Sequence, residues 1–184
     1  MRDLRLAGWT VVLVAVTDGE GAYGRDGARQ RATLARRRLA ERALALACLG
    51  LDAVAVHRLG LPDGDLIHHE ASIAHALREC AGGADWLLTS WRHDGHPDHG
   101  ATGRAAASVA IDLGVRLAEF PVWGGPARPT AGSWRWPLAA ATRAAKDAAI
   151  AAFASQLGPS PHGPPVVPPD LVERCRRGDE VLLT

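Results

Sequence analysis

Trp9-Thr10-Val11-Val12-Leu13-Val14-Ala15-Val16 is an unbroken apolar and β-branched run. A run without polar alternation predicts a strand buried on both faces, which steers the chain toward a sheet covered by helices. It stops at the polar turn Thr17-Asp18-Gly19-Glu20-Gly21, and a long helix is predicted from about Ala28 to Leu49, with Gly50 at its C-cap. Ala53-Val54-Ala55-Val56 reads as the next strand and ends in Leu59-Gly60-Leu61-Pro62-Asp63-Gly64. A helix at Ala71–Cys80, a strand at Trp86–Ser90, a helix from about Ala101 to Leu113 capped by Gly114, and a strand at Val115–Phe120 follow. Strands alternating with helices predict an α/β fold: a Rossmann-like, mostly parallel sheet with helices on both faces.

The remainder is less regular. Trp123–Pro137 holds Trp123, Trp134 and Trp136 among Gly and Pro and reads as irregular, whereas Leu138–Leu157 returns to helix. Pro159–Pro169 is Pro-rich and extended, Asp170 is an expected N-cap, and Val181-Leu182-Leu183 is an expected last strand. Met1–Gly8 resembles the last turns of a helix ending at Gly8.

At 184 residues the chain suits one domain, 1–184. A formal net charge of +1 argues against nucleic-acid or acidic-membrane partners. There is no membrane-length apolar stretch, and Asp3 and Arg5 interrupt any signal-peptide pattern, so the expected compartment is the cytoplasm. Cys48, Cys80 and Cys175 have neither disulfide-framework nor zinc-site spacing.

Polar chemistry concentrates after the strands. Trp91-Arg92-His93-Asp94-Gly95-His96-Pro97-Asp98-His99 packs three imidazoles and two carboxylates into one segment, the groups that bind divalent metals and move protons near neutral pH. In a parallel sheet the turns at Thr17–Gly21, Pro62–Asp65 and His93–His99 share the carboxyl edge, where sites form. Other residues read more plainly. His93 and Asp94 are expected to shape the loop, although Asp94 could reach substrate, and His68, His69 and His75 to lie on the surface, while His57 and His162 carry no assignment. Arg36, Arg37, Arg38 and Arg42 equally make a solvated basic helix face, and the Trp123–Trp136 cluster could stack on a sugar or aglycone but is expected in the core.

Taken in order, Thr17-Asp18-Gly19-Glu20, Arg38-x-x-Glu41, Leu49-Gly50, Leu61-Pro62-Asp63-Gly64 and His96-Pro97-Asp98-His99 resemble the LmbE-like, or PIG-L, deacetylases. Lys146, Ala149-Ile150, Ser155-Gln156, Val167-Pro168-Pro169 and Glu180-Val181 extend the resemblance over nearly the whole chain. The resemblance implies a zinc-dependent hydrolase that removes acetyl from an N-acetylated amino sugar or related conjugate, a small-molecule substrate. It implies His99 as a metal ligand and His96 as the group that polarises or protonates at the tetrahedral centre. Asp98, the second catalytic candidate, would orient His96 through a hydrogen bond. Asp63 would face the sugar, and Asp18 and Arg38 would contact substrate, although a turn for Asp63 and a helix cap for Asp18 read equally well.

The family's N-terminal His-Pro-Asp-Asp-Glu motif, with its two further metal ligands and general base, has no counterpart in this sequence. The zinc site is therefore expected to be incomplete in this chain. The first strand of the fold is expected to be missing as well, leaving the strands at Trp9–Val16 and Trp86–Ser90 without an inner neighbour. A truncated or mis-assigned start is the expectation. The alternative is a catalytically inactive remnant or a partner-binding module of the same fold. A nucleotide-binding protein is disfavoured, because no Gly-x-Gly-x-x-Gly follows a strand.

Overall fold

The structure is a computed structural model that describes residues 1–24, 27–123, 132–160, 163–177 and 179–184. His162 lies outside them, as does part of the Trp123–Pro137 segment. The fold is α/β, with helices alternating with strands and parallel pairs in both sheets. Its contacts divide the chain into two compact units, Met1–Arg58 with Leu138–Gly178, and Leu59–Pro137 with Asp179–Thr184.

In the first unit, β1 (Val12–Ala15) runs parallel to β2 (Ala55–Arg58), with Val12 opposite Ala55 and Ala15 opposite Arg58. Helix α2 (Ala28–Cys48) crosses between them and stops at Gly50, whose φ of 66° suits the left-handed conformation that ends helices. The short α1 (Arg2–Leu6) is tied down by Arg2, which donates to the Leu49 carbonyl at 2.9 Å. Helices α5 (Ala140–Ala151), α6 (Ala154–Leu157) and α7 (Pro169–Arg177) complete the unit, α2 packing on α5 and α6. The expected continuous helix over 138–157 breaks at Phe153, whose ψ of 56° is not helical. Strand β2 also lies two residues later than the sequence suggests, and Asp170 falls within the first turn of α7, after Pro169.

In the second unit, β3 (Trp86–Ser90) and β4 (Arg116–Phe120) are parallel, joined through α4 (Pro97–Leu113) as the crossover. Strands β5 (Ser133–Trp136) and β6 (Glu180–Leu183) extend the sheet in the order β3-β4-β6-β5, with β6 antiparallel to both neighbours. The expectation of irregular chain over 123–137 therefore fails at Ser-Trp-Arg-Trp. Its alternation suits an outer strand, and the surrounding Gly and Pro mask it in the sequence. Helix α3 (Glu70–Cys80) packs on α4, with Ile73, Ala101 and Val109 fully buried and Leu77 and Ala105 nearly so. Among the described residues, β1 pairs only with β2, and β3 only with β4.

Helix α4 starts at Pro97, four residues before the expected Ala101. Pro at the first helical position lacks only an N–H that has no intrahelical partner there, and its fixed φ suits the helix. Small residues on α4 let it approach the end of β3 closely. A Cβ on Gly103 would fall 2.5 Å from the Ser90 carbonyl oxygen and 2.7 Å from the Arg92 backbone, so only glycine fits. This contact fixes where the first turn of α4 points.

Candidate active site

The His-rich segment is the turn after β3 together with the N-cap and first turn of α4. Several bonds tie that turn to the sheet, among them Trp91 N–H to the Phe120 carbonyl at 2.9 Å. Arg92 pairs with buried Glu119 on β4 through its guanidinium (2.8 Å) and its backbone N–H (2.9 Å). Ser90 donates to the His99 carbonyl at 2.9 Å.

Asp94 is the hub. Its side chain is wholly buried. One oxygen accepts from the His96 backbone N–H (3.0 Å) and contacts His99 Nδ1 (3.1 Å). The other accepts from the backbone N–H groups of Val122 (2.7 Å) and Trp123 (3.0 Å). Burial opposes ionisation of Asp94, but those N–H groups and His99 outweigh it and hold the carboxyl below its ordinary range. The His99 imidazolium is in turn pushed below its ordinary value by burial, against the pull of Asp94, so His99 is neutral at pH 7.

These contacts set the two tautomers. An ionised carboxylate only accepts, so His99 carries its proton on Nδ1 and keeps the lone pair on Nε2, the form that ligates a metal. His96 is the opposite case. Its Nδ1 accepts from the Asp98 backbone N–H at 3.2 Å, which puts the ring proton on Nε2 as a donor. The rings lie 4.8 Å apart, centroid to centroid. One imidazole is thus set to give a lone pair and its neighbour to give a hydrogen bond.

The hydrogen bond expected from Asp98 to His96 exists, but the backbone makes it. The Asp98 carboxylate instead accepts from the N–H groups of Gly64 (2.7 Å) and Leu66 (3.1 Å), which draws the Pro62–Asp65 turn against the start of α4. Asp63 stands beside Gly64 on that turn, half-buried. His96, Asp98, His99 and Asp63 are accordingly brought together in one unit.

Asp18 and Arg38 lie in the other unit, close to each other. Asp18 accepts from Arg58 in a bidentate pair, with one bond at 2.8 Å. Arg38 donates to the Gly19 carbonyl at 2.6 Å and to the Ser155 hydroxyl at 3.4 Å. Glu41 accepts from the Ser155 N–H (2.8 Å) and hydroxyl (2.6 Å), so the Arg38-x-x-Glu41 pair meets Ser155 through direct bonds. The apolar hollow of about 370 Å³ in that unit, beside Leu13, Leu46, Ile150 and Phe153, offers neither His nor carboxylate.

Sequence reasoning gave Asp94 the loop-shaping role it has, but not its bond to His99. The available signal was local: an Asp two residues before His96 can accept from its N–H in an Asx-turn. Among the described residues no group of three His, Cys, Asp or Glu side chains is arranged to hold a metal. His99 alone does not make a zinc site, so the residues present do not complete one. Nor, among the described residues, is any helix long and apolar enough to cross a membrane.

Fold and site together define an α/β protein with a His-Asp-His cluster at a helix N-terminus beside the end of a parallel strand. The family model for PIG-L, the GlcNAc-PI de-N-acetylases, matches residues 1–110, and the chain belongs to this family of deacetylases. No curated protein matches it. Among solved structures, the conserved protein TT1542 from Thermus thermophilus is similar at a TM-score of 0.67 and 22% identity, over 100% of this chain and 84% of that one. The zinc-inhibited form of teicoplanin deacetylase Orf2 is similar at 0.67 and 15% identity, over 99% and 89%. N,N'-diacetylchitobiose deacetylase from Pyrococcus horikoshii is similar at 0.62 and 18% identity, over 94% and 66%. These likenesses concern the fold.

Proposed function

We propose that residues 1–184 form one domain of a zinc-dependent N-deacetylase. It would hydrolyse the amide of an N-acetylated amino sugar or related small conjugate in the cytoplasm, with a metal site incomplete in this sequence. The observation that carries the reading is the pair of opposed tautomers. His99 offers Nε2 as a ligand, with Asp94 holding its other nitrogen. His96, its ring 4.8 Å from that of His99, keeps Nε2–H as a donor of the kind that stabilises a developing oxyanion or protonates a leaving amine. Asp98 is a positioning residue: its backbone fixes His96, and its carboxylate fixes the turn that carries Asp63. Asp18, Arg38 and Asp63 are proposed substrate contacts, Asp18 being held by Arg58 and Arg38 by the Gly19 carbonyl.

The second reading is a catalytically inactive remnant or partner-binding module, since this sequence has no His-Pro-Asp-Asp-Glu motif. Amine release from N-acetylglucosamine, measured on the full product of the reading frame with and without zinc and chelator, separates the two. The deacetylase reading predicts zinc-dependent release that His96→Ala abolishes. No release under any zinc condition supports the remnant.

A further inference from the structure

We propose that Trp123 is a substrate-stacking residue whose indole face receives the sugar ring bearing the acetamido nitrogen, so that the site selects acetamido pyranoses over acyclic N-acetyl amines. The inference rests on the deacetylase reading and adds the group that chooses the substrate.

Trp123 lies just past β4, its ring 6.2 Å from the His96 ring at an interplanar angle of 38°, and it remains 37% exposed. A tryptophan serving only the core would bury its faces, whereas this one keeps apolar surface beside the imidazole assigned to the reacting carbonyl. Its backbone is anchored. Its N–H and that of Val122 both donate to Asp94, and its Cβ sits against Gly95, where an added Cβ would approach it to 3.9 Å. The carboxylate that sets the His99 tautomer thus also places the indole.

The span between the two rings selects the part of the substrate that Trp123 meets. In an N-acetylated amino sugar the pyranose is bonded directly to the amide nitrogen, so its centre lies about one ring-width from the scissile carbonyl. An indole 6.2 Å from the His96 ring is near enough to meet a ring so close to the reacting carbonyl. One face of a pyranose presents C–H groups, which suit the electron-rich face of an indole.

The test compares amine release from N-acetylglucosamine and from acyclic N-acetylethanolamine by the full product of the reading frame, as wild type, Trp123→Leu and Trp123→Phe. Leu keeps apolar bulk and removes the flat face. It is expected to raise KM for N-acetylglucosamine by about fivefold to tenfold, the scale of an aromatic contact. KM for the acyclic probe and kcat for both are expected to stay unchanged, and Phe is expected to restore most of the difference. Saturation transfer by NMR from aromatic protein protons to sugar ring protons gives a readout that needs no turnover. It is expected in the wild type and lost in Trp123→Leu. Equal KM changes for both probes, or transfer that is absent in the wild type or undiminished in Trp123→Leu, overturns the proposal. If neither probe is hydrolysed, the deacetylase reading fails while the transfer experiment still decides the stacking.

Discussion

Replacing Asp94 with Asn tests the tautomer logic at its origin. The wild-type carboxylate faces four nitrogens, His96 N and His99 Nδ1 on one oxygen and Val122 N and Trp123 N on the other. Asn supplies one carbonyl and one NH2. Its carbonyl best serves the two backbone donors of Val122 and Trp123, which have no alternative acceptor chemistry. The NH2 then faces His96 N–H, which loses its partner, and His99, which relieves the conflict by moving its proton from Nδ1 to Nε2. One buried donor left unsatisfied costs about 1–3 kcal/mol, and weaker neutral bonds to the other two add to that. A total of about 2–4 kcal/mol lowers the Tm of a domain this size by roughly 5–15 °C. Differential scanning calorimetry measures the first quantity, and long-range nitrogen–proton NMR of the His99 ring the second. The expected result is a lower Tm together with a proton on Nε2, the atom assigned to the metal. A Tm within about a degree of wild type, or a His99 ring still protonated on Nδ1, would refute the reasoning.

Gly103→Ala should destabilise despite adding only a methyl group, because the new carbon meets backbone at 2.5 Å and 2.7 Å. Overpacking of this kind costs about 1–3 kcal/mol, read as a lower urea midpoint, and an unchanged midpoint would show that α4 is free to shift. Glu41→Ala strips the buried Ser155 of acceptors for both N–H and hydroxyl and should cost about 2 kcal/mol or more. Arg37→Ala, removing the exposed partner of the same carboxylate, should cost under about 1 kcal/mol. Equal losses from the two in chemical denaturation would contradict the burial argument.

What the sequence showed and what it hid divide along sequence distance. The strands at Trp86–Ser90 and Arg116–Phe120 and the helix ends at Gly50 and Gly114 were legible, because apolar runs and left-handed glycines are local signals. The start of α4 was misjudged because Pro97 reads as a loop residue unless it is recognised as the first residue of a helix. β5 hid for a related reason, since its alternation spans only Ser133–Trp136 between glycines and prolines. The site was half legible. His96 and His99 stand out by type and spacing, but the importance of Asp94 comes from Val122 and Trp123, 28 and 29 residues away. Likewise the Asp98 carboxylate finds its partners at Gly64 and Leu66, on a turn that only the folded chain brings near. Glu41 and Ser155 meet across 114 residues. They were visible as family-like positions, but their bond was not.

The most direct test of the central claim, that His99 presents Nε2 as a metal ligand, is the zinc content of the full product of the reading frame after dialysis, measured by elemental analysis beside its His99→Ala variant. In a product that supplies two further ligands, about one zinc per chain in the unsubstituted protein and none in a folded His99→Ala protein is the predicted result. Stoichiometric zinc retained without His99 would contradict it.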